Sequence, residues 1–233
     1  MNCRAVIFDI YQTLLDVGPP PADAETRWAA LWHDLLGREP RLDLAGFAGG
    51  CREAIARDHA AAKAAGVPFP EVYWPEIVRE VVPEVAALDA TSQAEFAYRQ
   101  TGLWHTVRLN PAAADTLRDL QQRGLLLGIA SNAQPYTLRE LDEALATAGL
   151  SATMFTPALT FWSFAHGFSK PDPHVFRLLT ARLRALGVAP AETLMVGDRL
   201  DNDIEPARDQ GWQTWQITPR TTDSWGRLRM QLR

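Results

Sequence analysis

The chain has 233 residues and a formal net charge of -5, with 47% hydrophobic and 22% charged residues. These are ordinary values for a globular protein that buries a sizeable core, either as one large domain or as a core with a smaller second domain. The negative charge argues against binding to nucleic acid or to an anionic membrane surface. Two cysteines are too few for a disulfide framework or a Cys-based zinc site. The lack of a signal-like start or a long apolar run predicts a cytoplasmic protein.

The first predicted strand is the apolar run Val6 to Phe8, within the segment CRAVIFDIYQTLLD, and Asp9 follows it at once. The run is typical of a strand buried on both faces of a parallel sheet. Ligands of open α/β sheets bind beyond the carboxyl ends of the strands, which makes Asp9 a candidate active-site residue. The alternative is that Asp9 only begins the turn after this strand.

Residues 17–108 follow a helical pattern, which predicts an inserted helical domain between two parts of a core, 1–16 and 109–233. Apolar stripes run over residues 28–36, 44–55 and 74–85, with a break expected at Pro83, and Ser92 and Glu95 have capping-box spacing ahead of a fourth helix. An insert at this point would lie over the end of the first strand, where it could act as a lid.

From residue 110 onward strands and helices alternate, which indicates βαβ units and the α/β class. Strands are expected near residues 125–130, 158–163, 193–196 and 213–216, and helices are expected to begin at Asn110-Pro111, ahead of Leu138 and at Asp172-Pro173. The Arg-rich end from Arg220 to Arg233 is interpreted as a solvated tail.

Polar side chains stand where several of these strands end. They are Asp9, Ser131 with Asn132, and Asp198 with Asp203, while Lys170 precedes the helix that opens at Asp172. Strand ends of a parallel sheet share one edge, so these groups can converge. Taken singly, Ser131 could be a helix cap, Asp203 a first-turn acid and Lys170 a surface lysine. Together, the carboxylates suit Mg²⁺, and the hydroxyl and ammonium suit the oxygens of an anion.

Four segments, FDIYQTL, IASN, SKPDP and VGDRLDND, resemble the motifs of the haloacid dehalogenase (HAD) superfamily in their order. The resemblance covers nearly the whole chain, and the helical insert resembles the C1 cap of that superfamily. It implies a Rossmann-like core and an aspartate nucleophile, Asp9, which forms a covalent intermediate that water hydrolyses.

The same resemblance implies roles for the other motif residues. Thr13 would support the nucleophile loop, Ser131 and Lys170 would bind the transferring group, Tyr11, Thr13 and Asn132 would face the substrate, and Asp198 and Asp203 would hold the metal site.

Tyr11 departs from the pattern of the phosphate-transferring members, which usually carry a second Asp there as general acid and base. The 2-haloacid dehalogenases of the superfamily typically carry tyrosine at this position. A departing halide needs no proton, so Tyr11 favours dehalogenation. That chemistry would need a cradle for the halide, for which Arg27 and Arg41 are candidates.

The fourth motif favours the opposite interpretation, because Gly197, Asp198 and Asp203 keep the pattern of metal-dependent members. Several facing carboxylates without a cation would be costly. Mg²⁺ held by Asp9, Asp198 and the backbone carbonyl of Tyr11, with Asp203 mostly through water, would remove that cost.

The leading hypothesis is therefore a Mg²⁺-dependent phosphohydrolase that acts on a small anionic metabolite with a good leaving group. One alternative is a metal-independent 2-haloacid dehalogenase, and a second is a catalytically silent binding protein. The expected assembly is a monomer or a homodimer.

Overall fold

The computed structural model describes residues 2–218 and 223–232 and has a mixed α/β fold, as predicted. Its strands are β1 (Ala5–Phe8), β2 (Leu15–Gly18), β3 (Thr106–Leu109), β4 (Leu126–Ser131), β5 (Thr160–Trp162), β6 (Thr193–Gly197) and β7 (Gln213–Gln216). Its helices are α1 (Ala24–Leu36), α2 (Leu44–Ala64), α3 (Trp74–Val81), α4 (Ala90–Thr101), α5 (Pro111–Gln122), α6 (Pro135–Ala146), α7 (Pro173–Ala185), α8 (Glu205–Asp209) and α9 (Ser224–Leu232).

Five strands form a parallel sheet in the order β5-β4-β1-β6-β7, so β1 lies at the centre. Alternate residues of β1 face opposite sides of the sheet, as the pleat requires. Val6 and Phe8 pack with α5, α6 and α9, whereas Ala5 and Ile7 pack with α7 and α8. The sheet is therefore a layer between two layers of helices, which accounts for the continuous apolar run of β1.

The register of the sheet aligns the strand ends that carry the predicted site. Phe8 is paired with Ile129 of β4 on one side and with Val196 of β6 on the other. Asp9 follows this pair directly, Ser131 ends β4 and Asp198 follows β6, so the three residues lie at one edge of the sheet.

Helices α1 to α4 have an apolar cluster of their own, which is centred on the rings of Trp28, Trp32, Phe47 and Phe96. The expected capping box before α4 is wrong. Asp89 is the N-cap, and its side chain accepts a hydrogen bond from the Ser92 backbone N–H at 3.0 Å. Both residue types are good caps, and the extended backbone of Asp89 decides between them.

The helical segment α1–α4 joins the sheet domain through a two-stranded antiparallel ribbon of β2 and β3, which the sequence did not predict. A second attachment lies between α2 and α3, where the Ser169 N–H donates to the Phe69 carbonyl and the Glu71 N–H donates to the Gly167 carbonyl. The division into a core of 1–16 and 109–233 and an inserted domain of 17–108 stays a prediction.

The C-terminal helix α9 corrects the interpretation of the chain end as a solvated tail. Trp225, Leu228 and Leu232 are buried, and α9 packs against α5. Arg220 and Arg233 lie outside the described residues. Among residues 2–218 and 223–232, no helix has both the length and the apolar character that a membrane crossing requires. The cytoplasmic location stays a prediction.

Candidate active site

The loop after β1 is a tight turn that buries Asp9. The Asp9 backbone N–H donates to the Val196 carbonyl at 2.9 Å, which ties the end of β1 to β6. Gln12 has a φ of 59°, in the left-handed region that non-glycine residues seldom adopt. Thr13 Oγ1 donates to Asp9 Oδ2 at 3.4 Å, a long hydrogen bond. The turn therefore presents the Asp9 carboxylate at the centre of the sheet edge.

Lys170 is the cation of the site and is 3% exposed. Its Nζ donates to Asp9 Oδ1 at 2.7 Å and to Asp203 Oδ1 at 2.5 Å. The Asn132 side chain makes two hydrogen bonds to the Lys170 backbone. Asn132 Oδ1 accepts from the Lys170 N–H at 2.7 Å, and Asn132 Nδ2 donates to the Lys170 carbonyl at 2.9 Å. These amide contacts anchor Lys170, and the substrate contact expected for Asn132 stays a prediction.

Asp203 and Asp198 complete an acidic cluster with Asp9. Asp203 lies in the π-helical turn Leu200–Ile204 between β6 and α8, and its Oδ2 accepts from the Arg199 backbone N–H at 3.0 Å. Gly197 lets this carboxylate approach, because a Cβ there would lie 2.4 Å from Asp203 Oδ2. Carboxylate oxygens of Asp9, Asp198 and Asp203 all lie within 4.8 Å of one another.

Among the residues that the structure describes, one buried ammonium, that of Lys170, faces the three carboxylates, so their charges are not balanced within the cluster. Burial raises the pKa of Asp9 to about 6, with a further rise from the Asp203 charge and an opposing effect of Lys170. Burial and the Asp203 charge also raise the pKa of Asp198. For Lys170, burial alone would lower the pKa, but the charges of Asp9 and Asp203 outweigh it and raise the pKa. This donor set of hard oxygens suits a divalent cation.

The Ser131 hydroxyl is a second unbalanced group. Ser131 is 1% exposed, and its Oγ has no hydrogen-bond partner within the described residues. Leaving a buried hydroxyl without a partner costs about 1–3 kcal/mol. An anionic ligand at the sheet edge would supply the missing acceptor.

The Tyr11 side chain points to α6, and its hydroxyl donates to Glu140 Oε2 at 2.5 Å. The same hydroxyl lies 2.8 Å from Thr137 Oγ1. Glu140 is 5% exposed, and its Oε1 lies 2.9 Å from His105 Nε2. Sequence reasoning missed Glu140 and His105. The available signal was that Glu140 shares a helical face with Thr137 and Ala144, which are also buried.

Arg27 and Arg41, the two candidates for a halide cradle, have partners on the helical segment and its flanks. Arg27 forms an ion pair with Asp23 at 2.8 Å. Arg41 pairs with Glu84 at 3.3 Å and also donates to the Val81 carbonyl at 2.9 Å. The side chains of both arginines are more than half exposed, at 58% and 52%.

A parallel sheet whose central strand delivers a buried aspartate to a lysine, a hydroxyl and further carboxylates defines an α/β enzyme with a carboxylate-centred site. The model of the haloacid dehalogenase-like hydrolase family matches residues 3–211. The chain therefore belongs to this family and is a hydrolase.

Among curated relatives, N-acetylmuramic acid 6-phosphate phosphatase of Pseudomonas putida is 28% identical over 92% of this chain and 82% of its own length. Phosphoserine phosphatase of Thermus thermophilus is 39% identical over 44% of this chain and 38% of its own. Glyceraldehyde 3-phosphate phosphatase of Pyrococcus furiosus is 32% identical over 51% of this chain. The chain spans about half or less of the length of the last two relatives.

Solved structures share the fold at low identity. A 2-haloacid dehalogenase from Pseudomonas syringae has a TM-score of 0.59 at 22% identity, covering 99% of this chain and 98% of that one. A HAD family enzyme from Bacteroides thetaiotaomicron, solved with magnesium and inorganic phosphate, has a TM-score of 0.58 at 14% identity, covering 97% and 98%.

Proposed function

We propose that the protein is a Mg²⁺-dependent phosphohydrolase that uses Asp9 as its nucleophile. The observation that carries the proposal is the convergence of three carboxylates within 4.8 Å beside the Lys170 ammonium. Two like charges at such a distance repel strongly when they are buried, and a divalent cation removes the repulsion. The phosphatase relatives support phosphoryl transfer as the chemistry.

The residues present fit a magnesium ion. Asp9, Asp198 and the backbone carbonyl of Tyr11 would hold it, with Asp203 mostly through water. When bound, the ion would neutralise charge that develops on the phosphoryl oxygens.

The chain's own groups account for the remaining steps. A carboxylate oxygen of Asp9 attacks phosphorus, the bond between phosphorus and the leaving oxygen breaks, and the leaving group departs with the electron pair. Water then attacks the phosphorus of the aspartyl phosphate, and the bond between phosphorus and the Asp9 oxygen breaks, which restores the Asp9 carboxylate. Inorganic phosphate leaves with the oxygen of the water, and the protons of the water pass to the phosphate and to solvent. Lys170 and the unpaired Ser131 hydroxyl bind the phosphoryl oxygens, and Thr13 supports the Asp9 carboxylate.

No side chain at position 11 supplies a proton to the leaving group. Tyr11 donates its only hydroxyl proton to Glu140, and burial together with the Glu140 charge raises the pKa of the phenol well above its usual range. Losing a positioned general acid costs about 10² to 10⁴ in rate for a poor leaving group. The substrate is therefore a small phosphorylated metabolite with a good leaving group, such as an acyl phosphate or an activated aryl phosphate.

A second candidate function is 2-haloacid dehalogenation, which the tyrosine at position 11 favours. It would use the same nucleophile without a metal. Arg27 and Arg41 already pair with Asp23 and Glu84, so neither guanidinium is dedicated to binding a halide. Without a metal, the acidic cluster would also keep its unbalanced charge.

One assay panel separates these functions. Acetyl phosphate, p-nitrophenyl phosphate, glycerol phosphate and 2-chloropropionate are incubated with Mg²⁺ and, separately, with chelator. Phosphate release that requires Mg²⁺ and is fastest from acetyl phosphate supports the proposal. Chloride release that persists in chelator supports dehalogenation, and no release from any compound supports a binding protein.

A matched pair of variants tests the acidic cluster itself. Asp198→Asn removes a proposed metal ligand. The Mg²⁺ concentration that gives half-maximal phosphate release should therefore rise about tenfold or more. Asp201→Asn changes an exposed acid that forms an ion pair with Arg199, and it should behave as the unmodified protein. An equal effect of the two changes would contradict the proposed site.

A further inference from the structure

The Tyr11 side chain connects the nucleophile loop to α6 through a closed network. Its hydroxyl binds Glu140 and Thr137, and its ring meets the His105 ring edge-on, with centroids 5.9 Å apart and an interplanar angle of 74°. His105 in turn binds the second oxygen of Glu140. The loop, α6 and the segment between α4 and β3 are thus held together at one carboxylate.

The position of Tyr11 in the loop links this network to the placement of Asp9. Tyr11 lies two residues after Asp9 and directly before Gln12, whose left-handed backbone has a φ of 59°. The turn is closed by the Leu15 N–H, which donates to the Ile10 carbonyl at 2.9 Å, and by the Gln12 N–H, which donates to the Leu15 carbonyl at 2.7 Å. A strained residue persists only when its surroundings over-determine it.

Glu140 is 5% exposed, so each of its carboxylate oxygens needs a hydrogen-bond partner within the protein. Its carboxylate is satisfied by the phenol on one oxygen and by the imidazole on the other. A buried carboxylate with these partners is held in one orientation, because each of its two oxygens has its own donor. That orientation fixes the phenol and, through it, the backbone of Tyr11.

We propose that Glu140, held by His105, is a positioning residue that fixes the loop from Asp9 to Thr13 through the Tyr11 side chain. The proposal rests on the proposed function, since it gives Glu140 a task in the placement of the nucleophile and of the Tyr11 carbonyl. Glu140 bonds to Tyr11 and His105, and within the described part of the chain neither Glu140 nor His105 has a hydrogen bond to Asp9, Lys170 or Ser131. We therefore expect their substitution to act through the loop.

The chain offers a matched control on the same helix. Glu143 lies one turn after Glu140 and lines the same cavity of about 680 Å³ between α6 and the helical segment. Its carboxylate binds Tyr98 at 2.5 Å and Arg139 at 2.7 Å, and among the described residues it has no hydrogen bond to Tyr11. Glu143→Ala therefore removes a carboxylate from this cavity and leaves the nucleophile loop untouched.

The experiment compares Glu140→Ala, Glu140→Gln and Glu143→Ala in the full chain. Hydrogen–deuterium exchange of peptides that cover residues 9–15 should rise about fivefold or more in Glu140→Ala. Calorimetric Mg²⁺ affinity should fall about tenfold, as for other outer partners of a metal site. The kcat for acetyl phosphate should fall about tenfold to a hundredfold with little change in KM.

Glu140→Gln keeps an oxygen that accepts from Tyr11 and an amide N–H that can donate to His105, so it should lose no more than about threefold in kcat. Loop exchange, Mg²⁺ affinity and kcat that are the same in Glu140→Ala and Glu143→Ala would overturn the proposal. If the unmodified protein releases no phosphate, the proposed function fails, and the exchange comparison still decides whether Glu140 fixes the loop.

Discussion

Two networks flank the loop that follows β1, and they differ in whether their polar groups are satisfied by partners within the protein. On one side, Lys170 lies between Asp9 and Asp203, with Asp198 close by, so negative charge is in excess. On the other side, Glu140 accepts from the Tyr11 phenol on one carboxylate oxygen and pairs with the His105 imidazole on the other, so each oxygen has a partner.

The difference separates groups that act on a ligand from groups that set geometry. A cluster with excess charge and the unpaired Ser131 hydroxyl is stabilised by binding something that completes it. A network in which each oxygen has a donor is complete already and can only hold its neighbours in place.

The largest effect is expected for Asp9→Asn, which removes the proposed nucleophile. Phosphate release from acetyl phosphate should fall by about 10⁴-fold or more, because no covalent intermediate can form. Single-turnover kinetics with the purified variant measure the loss. Asp201→Asn provides the exposed-acid control and should stay within about twofold, since surface changes are nearly neutral. A residual rate within tenfold of normal would exclude Asp9 as nucleophile.

The next effect concerns Lys170, whose loss leaves two buried carboxylates facing each other. Lys170→Met should lower the free energy of unfolding by about 3–5 kcal/mol in chelator, the cost of breaking a buried ion pair. The loss should be smaller in saturating Mg²⁺, because the cation then pairs with the same carboxylates. Urea denaturation measures both values.

Lys63 is the matched control for that change, since it is an exposed lysine on α2. Lys63→Met should alter the free energy of unfolding by about 0.5 kcal/mol at most. Equal destabilisation by the two changes would mean that the charge of Lys170 is not what stabilises the site.

The two networks also differ in how far the sequence predicted them. Asp9, Ser131 and Asp198 follow apolar strand patterns directly, so the sheet edge that gathers them could be inferred from order and spacing alone. Glu140 and Tyr11 are 129 residues apart, and the local sequence around either residue does not predict a contact with the other. The ribbon of β2 and β3 was missed for a different reason, because each strand has only four residues, LDVG and TVRL, and so short an alternation does not by itself distinguish a strand.

The third prediction uses the raised pKa of Asp9 and tests whether the charge cluster is costly without a ligand. Burial raises the pKa of this carboxyl to about 6 in the folded protein from its ordinary value of 3.8, so the folded protein binds the proton more tightly than the unfolded chain does. Its contribution to stability is therefore present below pH 4 and is lost as the pH rises through about 6. Asn cannot ionise, so Asp9→Asn should be more stable than the unmodified protein at pH 7 in chelator, by up to about 3 kcal/mol.

Urea denaturation from pH 4 to pH 8 checks that sign. The advantage of Asp9→Asn should shrink toward pH 4 and also shrink when Mg²⁺ is added at pH 7. A constant difference across this range would show that ionisation of Asp9 does not destabilise the folded protein.

The smallest effect is expected at Tyr11, where the two networks meet. Tyr11→Asp adds a carboxyl that can donate a proton to the leaving group, and it also removes the phenol that holds Glu140. The rate for glycerol phosphate relative to acetyl phosphate should rise about tenfold. This gain is smaller than most general acids supply, because the loop that carries the new carboxyl is less well fixed. Tyr11→Phe loses the same hydrogen bond without gaining an acid, so it should slow both substrates alike and leave their ratio unchanged. A ratio that rises equally in both variants would mean that the phenol restricts the substrate sterically and that the missing acid does not set the leaving-group preference.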